Sequence, residues 1–146
     1  MKKIIFKIAI TKKEIQAARE IRTKVFIVEQ GIPKEMDLDD DEEQSIHLLG
    51  MTEGANPIFV GTGRLTVRGD TGIVSRIAVV ETYRSQGIGK LILLELEAIA
   101  RKKGLRKLTL TPHAYLEDFY SSLGYKKMDG EKVVGKYTLL VMEKMI

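Results

Sequence analysis

Between Ile73 and Gly104 the chain passes from a β-branched run, through a glycine turn, into a long leucine-rich stretch. Ile73 to Val80 reads as a strand, and Gly87 to Lys103 carries apolar residues at helical spacing until Gly104 stops it. Joining them is Tyr83-Arg84-Ser85-Gln86-Gly87-Ile88-Gly89-Lys90. A tight turn at a helix start presents backbone N–H groups without intrahelical partners, and the helix dipole adds partial positive charge. Such a corner is a site for phosphate, and two glycines let an anion approach the backbone. The corner also restricts the fold, because it requires a strand and a helix packed against each other within one domain.

The usual nucleotide motifs do not fit. A P-loop needs glycine where Arg84 stands and Ser or Thr where Leu91 stands. A dinucleotide fingerprint needs a third small residue at Ile92 and an acidic residue near Lys107 or Leu108.

The remaining segments supply the other layers. Lys3 to Ala9 alternates as a strand, and Thr11 with Glu14 forms a capping box ahead of an amphipathic helix through Arg22 or beyond. Val25-Phe26-Ile27-Val28 is apolar enough to be expected inside the core, and Gly31-Ile32-Pro33 breaks the helix. Asp37 to Glu43 is a loop by charge. Ser45–Met51, Ile58–Val67 and Ile73–Val80 form a meander of three strands, with Asn56-Pro57 and Arg68 to Gly72 as turns.

In the second long helix Ile88, Leu91, Ile92, Leu96 and Ile99 make one stripe, widened by Leu93, Leu94 and Ala98, which implies burial on two sides. A strand to Leu110, a short helix from Ala114 to Leu123, and strands at Tyr125–Met128 and Tyr137–Met142 complete the chain. Hairpins with one βαβ crossover predict an α+β fold: a mixed, mostly antiparallel sheet flanked by helices. With 146 residues and no linker, 1–146 is expected to be a single domain.

Composition narrows the function classes. The chain has no cysteine, so thiol catalysis and cysteine zinc sites are excluded. The acidic loop lacks the glycine and terminal glutamate of a calcium loop, and no metal is expected. No apolar run is long enough to span a bilayer, and the charges at Lys7, Lys12 and Lys13 cut short a leader-like start, so a cytoplasmic setting is expected. The net charge of +4 comes without a dense basic stripe or aromatic interleaving, which favours a polyanionic small molecule over nucleic acid.

Arg84-x-x-Gly87-x-Gly89 after a strand resembles the acetyl-CoA signature of the GNAT N-acetyltransferases. Phe119-Tyr120-Ser121-Ser122-Leu123-Gly124-Tyr125 resembles the family's second signature, at the expected distance. Arg19 to Gln30, the Asp-rich loop, His47 and His113-Ala114 resemble an ElaA- or YjcF-like bacterial subgroup. The resemblance covers essentially the whole chain and implies the GNAT acyl-CoA N-acyltransferase fold. It also implies a transfer of acetyl from acetyl-CoA to a primary amine in a ternary complex. The acceptor would be a small cationic amine or an aminosugar; a protein or peptide amine, or acyl-CoA binding without turnover, are the alternatives.

The expected cofactor contacts are Ile77, Ala78 and Val79 on the strand and Arg84, Ser85, Gln86, Gly87, Ile88, Gly89 and Lys90 at the turn. By resemblance, an N–H near Val79 polarises the thioester oxygen, and Arg84 fixes the turn or adds charge. Tyr120 is the candidate acid for the leaving thiolate, with core packing as its other reading. Glu29 and His113 are candidate bases, and a water chain without a single base is the alternative. Glu29, His47 and Asp37 are candidate acceptor contacts, and the acidic loop could attract a cation or simply be solvated. Family members are often dimers, which implies a homodimer as one option.

Overall fold

A computed structural model gives the structure of the chain and describes residues 3–146; Met1 and Lys2, part of the leader-like start, lie outside the described residues. Strand β1 (Ile4–Ile8) leads to α1 (Lys12–Arg22). The Thr11–Glu14 capping box forms as the spacing predicts, with Glu14 N–H donating to Thr11 Oγ1 at 3.1 Å and Thr11 N–H to Glu14 Oε1 at 3.0 Å. The helix then widens into π-helical turns over Thr23–Glu29 and ends at Gly31. A short α2 (Lys34–Asp37) precedes the acidic turn.

The meander follows: β2 (Ile46–Thr52), β3 (Phe59–Arg68) and β4 (Thr71–Val79). After it come α3 (Ile88–Lys102), β5 (Lys107–Leu110), α4 (Glu117–Ser122), β6 (Lys126–Val134) and β7 (Tyr137–Met145). The sheet order is β1-β2-β3-β4-β5-β7-β6, with β4–β5 as its parallel pair and antiparallel neighbours elsewhere. That is the mixed sheet the element order predicts.

Side-chain alternation places the two main helices on opposite faces. Leu48 joins the cluster under α3, with Ile92, Leu93, Leu96 and Leu108, while its neighbour Leu49 joins Ala18, Ile21 and Val25 of the α1 side. Close seating of α3 depends on Gly63 of β3, where a Cβ would fall 2.6 Å from Ile92 Cγ2. At the far end Gly104, at φ +77°, closes α3 with Leu105 N–H on the Ala100 carbonyl and its own N–H on Arg101.

Three expectations need correction. Leu91 and Leu94 of α3 are 43% and 41% exposed and Ala98 is exposed, so the stripe is narrower than the leucine count suggested; Ala100 and Glu97 are buried in their place. Val28 is 73% exposed, because the π-helical widening turns it outward. The last hairpin is also longer than expected. Asp129 to Lys132 are charged enough to read as loop, yet they form part of β6, an exposed edge strand on which charge discourages pairing with other chains.

Two features open the sheet. Strands β4 and β5 pair only from Thr71–Ile73 against Lys107–Thr109 and then separate, leaving Val74 to Val79 without a neighbour on that side. A bulge sits in the unpaired part: β4 uses Arg76 and Ile77 where β3 uses only Gly63. Arg76 takes φ +58°, a left-handed backbone costing about 1 to 3 kcal/mol for a residue with a side chain. Among the described residues no helix is long and apolar enough to cross a membrane.

Candidate active site

The gap between β4 and β5 opens onto a cavity of about 390 Å³ whose walls include Phe26, Gln30, Arg76, His113, Tyr120 and Tyr137. Each wall has a local cause. The π-helical turns carry Phe26 and Gln30 toward the sheet, the bulge carries Arg76, and the turn ended by Pro112 after β5 carries His113. His113 is fixed by a bridge from its backbone to Leu139 of β7 and by its ring against Tyr137 at 4.6 Å. Its Nδ1 and the Oε1 of Gln30 are buried polar atoms without a hydrogen-bond partner among the described residues. Buried polar atoms are nearly always satisfied, so two orphans on one cavity wall point to a polar visitor.

At one end of the unpaired β4 edge lies the glycine turn. Val80 N–H donates to Val60 at 2.9 Å, so strand alternation turns the Val79 amide away from β3 and toward the gap. The same alternation gives the backbone of Ala78 to β3, and its side chain packs with the α1 core, so Ala78 offers the gap no free polar group.

Gly87 caps α3 at φ +79° with no side-chain cap, and Leu91 N–H is the first to find a helical acceptor, at Gly87. The amides of Ile88, Gly89 and Lys90 precede that bond and have no acceptor within the helix. Ser85, at φ +65°, and Gln86 shape the approach. A Cβ at Gly89 would meet only Val79 Cγ2, at 4.0 Å. Nothing in the chain requires glycine there, and the space above it suits the close approach of a phosphate.

Arg84 turns back from the corner. Its Nε donates to the Val79 carbonyl at 2.9 Å and its Nη2 pairs with Glu29 Oε1 at 2.7 Å, an arrangement that braces the turn against the π-helical segment. Glu29 is therefore held at the corner and is absent from the cavity wall, whereas Tyr120 and His113 share that wall. Burial raises the Tyr120 hydroxyl above its ordinary pKa, with Tyr115 adding to the shift, so it is a protonated donor at neutral pH. Burial lowers His113, leaving a neutral imidazole at pH 7.

The acidic loop is not a solvated lure. Arg22, 0% exposed, is gripped by both carboxylates that the loop buries. Its Nε and Nη2 reach Asp37 Oδ1 and Oδ2 at 3.1 and 3.0 Å, and Nη1 and Nη2 reach Glu42 Oε2 and Oε1 at 3.0 and 2.9 Å. Arg64, 4% exposed, takes both oxygens of Asp39 at 2.8 Å. Paired forks of this kind satisfy nearly every donor. Asp37 does reach the cavity wall, but as a partner of Arg22. His47 is 4% exposed on β2, its Nε2 2.9 Å from the Glu42 carbonyl, and it does not line the cavity. As acceptor contacts, His47 lies elsewhere and Asp37 is already neutralised.

Sequence reading missed the arginines. The available signal was charge in apolar phase: Arg22 on the buried stripe of α1, and Arg64 and Arg76 inside strands. It also missed the support under Tyr120. The Tyr120 ring meets Tyr125 edge-on at 6.0 Å, and Tyr125 donates its hydroxyl to buried Glu97 at 3.0 Å, which also pairs with Lys144 at 3.0 Å. Glu97, one turn of the helix from Leu93 and beside Leu96 on the apolar side of α3, was the visible hint.

Residues 9–146 match the family described as an acetyltransferase (GNAT) domain. The uncharacterized N-acetyltransferase YjcF of Bacillus subtilis (strain 168) is 32% identical over 119 residues, 82% of this chain and 83% of that protein. The crystal structure of Escherichia coli ElaA superposes with a TM-score of 0.81 at 22% identity over 99% of both chains. A GNAT acetyltransferase from Elizabethkingia anophelis, solved with acetyl-CoA bound, gives 0.76 at 16% identity over 98% of both, a likeness of fold.

Proposed function

The chain belongs to the GNAT acetyltransferases, and from that premise we propose that it moves acetyl from acetyl-CoA to a primary amine of a small molecule, directly and within one ternary complex. The carrying observation is the continuity of three features: the uncapped start of α3, the unpaired edge of β4, and a cavity with two orphaned polar atoms. Acetyl-CoA supplies an acetyl group already activated as a thioester. A cytoplasmic setting goes with this reading, since that thioester is an intracellular metabolite.

The residues divide the task by position. The amides of Ile88, Gly89 and Lys90 bind the pyrophosphate at the positive end of α3, and Gly87 sets the turn. Ile77 and Val79 offer backbone groups along the open edge, and the Val79 N–H is aimed to stabilise negative charge on a carbonyl oxygen. Removing such a contact typically costs about 2.7 to 4 kcal/mol of barrier stabilisation. His113 accepts a proton from the acceptor ammonium at Nδ1, or from a water beside it, and so releases the amine lone pair. Tyr120 supplies the proton that the departing sulfur needs. The ammonium loses two protons on becoming an amide, and His113 takes the first. The second leaves the nitrogen as the C–S bond breaks and replaces the proton that Tyr120 gave to sulfur, so each cycle passes one proton from His113 to solvent.

The test is release of free coenzyme A thiol. Protein, acetyl-CoA and a panel of primary amines are mixed, and thiol is followed colorimetrically. Release with a small amine supports the reading. Release only with peptides reassigns the acceptor to a protein amine, and binding of coenzyme A without release for any amine or peptide leaves a binding module.

A further inference from the structure

Arg76, half-buried beside Arg22 and Arg64, is the member of this group that keeps a donor unused. Its Nη2 donates to the Met36 carbonyl at 3.0 Å and to Asp39 Oδ2 at 3.2 Å, and its Nε lies 3.3 Å from the Asp37 carbonyl. Its Nη1 has no hydrogen-bond or salt-bridge partner among the described residues, and the residue lines the cavity. Arg22 and Arg64 take the facing oxygens of Asp37, Glu42 and Asp39 at shorter range. Burial, and then the nearby Arg64 cation, push the Arg76 guanidinium below its ordinary value, whereas Arg22 is raised by its carboxylates. An arginine remains charged all the same. Arg76 thus shares Asp37 and Asp39 with arginines that hold them at shorter range, and it keeps one donor, Nη1, unused on a residue set in the cavity wall by a left-handed bulge.

Much of the rest of the wall is apolar or aromatic, with Phe26, Ile32, Leu139 and Tyr137 among its members, beside Gln30, His113 and the arginine-bound Asp37. We infer that the acceptor is an amine that also carries a carboxylate on an apolar body, of the kind a hydrophobic amino acid provides, and that this carboxylate is received by Arg76 Nη1. The inference rests on the acetyl-transfer reading and names its substrate class. It also replaces the cationic acceptor, because the loop carboxylates that would have attracted a cation are held by arginine.

The experiment compares matched acceptors with wild-type protein and acetyl-CoA. L-phenylalanine and 4-(aminomethyl)benzoate are set against phenylalaninamide, phenethylamine and 4-(aminomethyl)benzamide, at concentrations corrected for the fraction of free amine. We expect the acids to be used with kcat/KM at least tenfold above their neutral partners, and Arg76→Gln to abolish that preference while the affinity for coenzyme A stays within twofold. Equal or faster turnover of the neutral amines in wild-type protein would overturn the carboxylate assignment while leaving acetyl transfer intact. No turnover of any amine would remove both. The wild-type comparison stands even where Arg76→Gln folds poorly, and Arg76→Lys, which keeps the charge, should retain part of the preference.

Discussion

Arg84 holds Glu29 at 2.7 Å while its Nε donates to the carbonyl of Val79, so one guanidinium joins the π-helical segment to the end of β4. The pair is partly exposed, and such contacts contribute little to stability. Its consequence is positional. Glu29→Gln should leave the pH dependence of kcat unchanged and weaken coenzyme A binding by about two- to fivefold, within the range of an exposed pair. Steady-state kinetics across pH, with calorimetry for coenzyme A, measure both. A lost ionisation in the kcat profile would return Glu29 to the role of base.

The two glycines of the turn should fail differently. Gly89→Val meets open space and a helical backbone, so its melting temperature should stay near wild type while coenzyme A affinity falls more than tenfold. Gly87→Val must also adopt φ +79° and should lose stability as well as affinity. Thermal melts with and without coenzyme A separate the two.

Tyr120→Phe should keep both Michaelis constants within a few-fold and lower kcat by about 100-fold or more, the usual contribution of a positioned acid. His113 must be neutral to accept a proton, and burial places its pKa below the ordinary 6.5. Activity should therefore hold through pH 6.5 and fall on an acidic limb below it. In His113→Asn that limb should disappear along with most of the rate. Plots of kcat/KM against pH for both proteins provide the check.

Arg22→Met leaves Asp37 and Glu42 buried opposite a neutral side chain. Breaking a buried ionic pair from one side costs about 3 to 5 kcal/mol, which urea unfolding at pH 7 will read. The same network sets the acid response. Arg64 holds Asp39 at about 2, and Arg22 lowers Glu42 against the opposing effect of burial. Folded values below the unfolded 3.8 and 4.5 mean stability that is complete above about pH 4.5 and is lost as pH falls toward 2. Circular dichroism across that window should show the loss in wild-type protein and a flatter response in Arg22→Met.

Much of the architecture could be read along the chain. Thr11 and Glu14 announce α1, Gly104 ends α3, and the β-branched runs mark the meander, because each is a local signal satisfied by near neighbours. The corner from Arg84 to Lys90 was visible for the same reason: a strand, a glycine and a helix start are consecutive in the chain. Burial was harder to read. Leu91 and Val28 look like core residues in sequence, and only the neighbours of α3 and the pitch of the π-helical turns leave them in solvent.

The acidic loop shows the limit most clearly. Asp37, Asp39 and Glu42 read as part of a solvated surface because their partners stand on α1, β3 and β4, far away in sequence. Sequence by itself determined the order of the main strands and helices, the glycine corner at the start of α3 and the place of Tyr120 on a short helix. Tertiary structure alone decided that Tyr120 and His113 share a cavity, that Glu29 does not line it, and that Arg76 lines it with one donor unused. Local patterns fix backbone conformation through neighbours a few residues apart, whereas cancellation of buried charge is a sum over every chain segment that meets at one point.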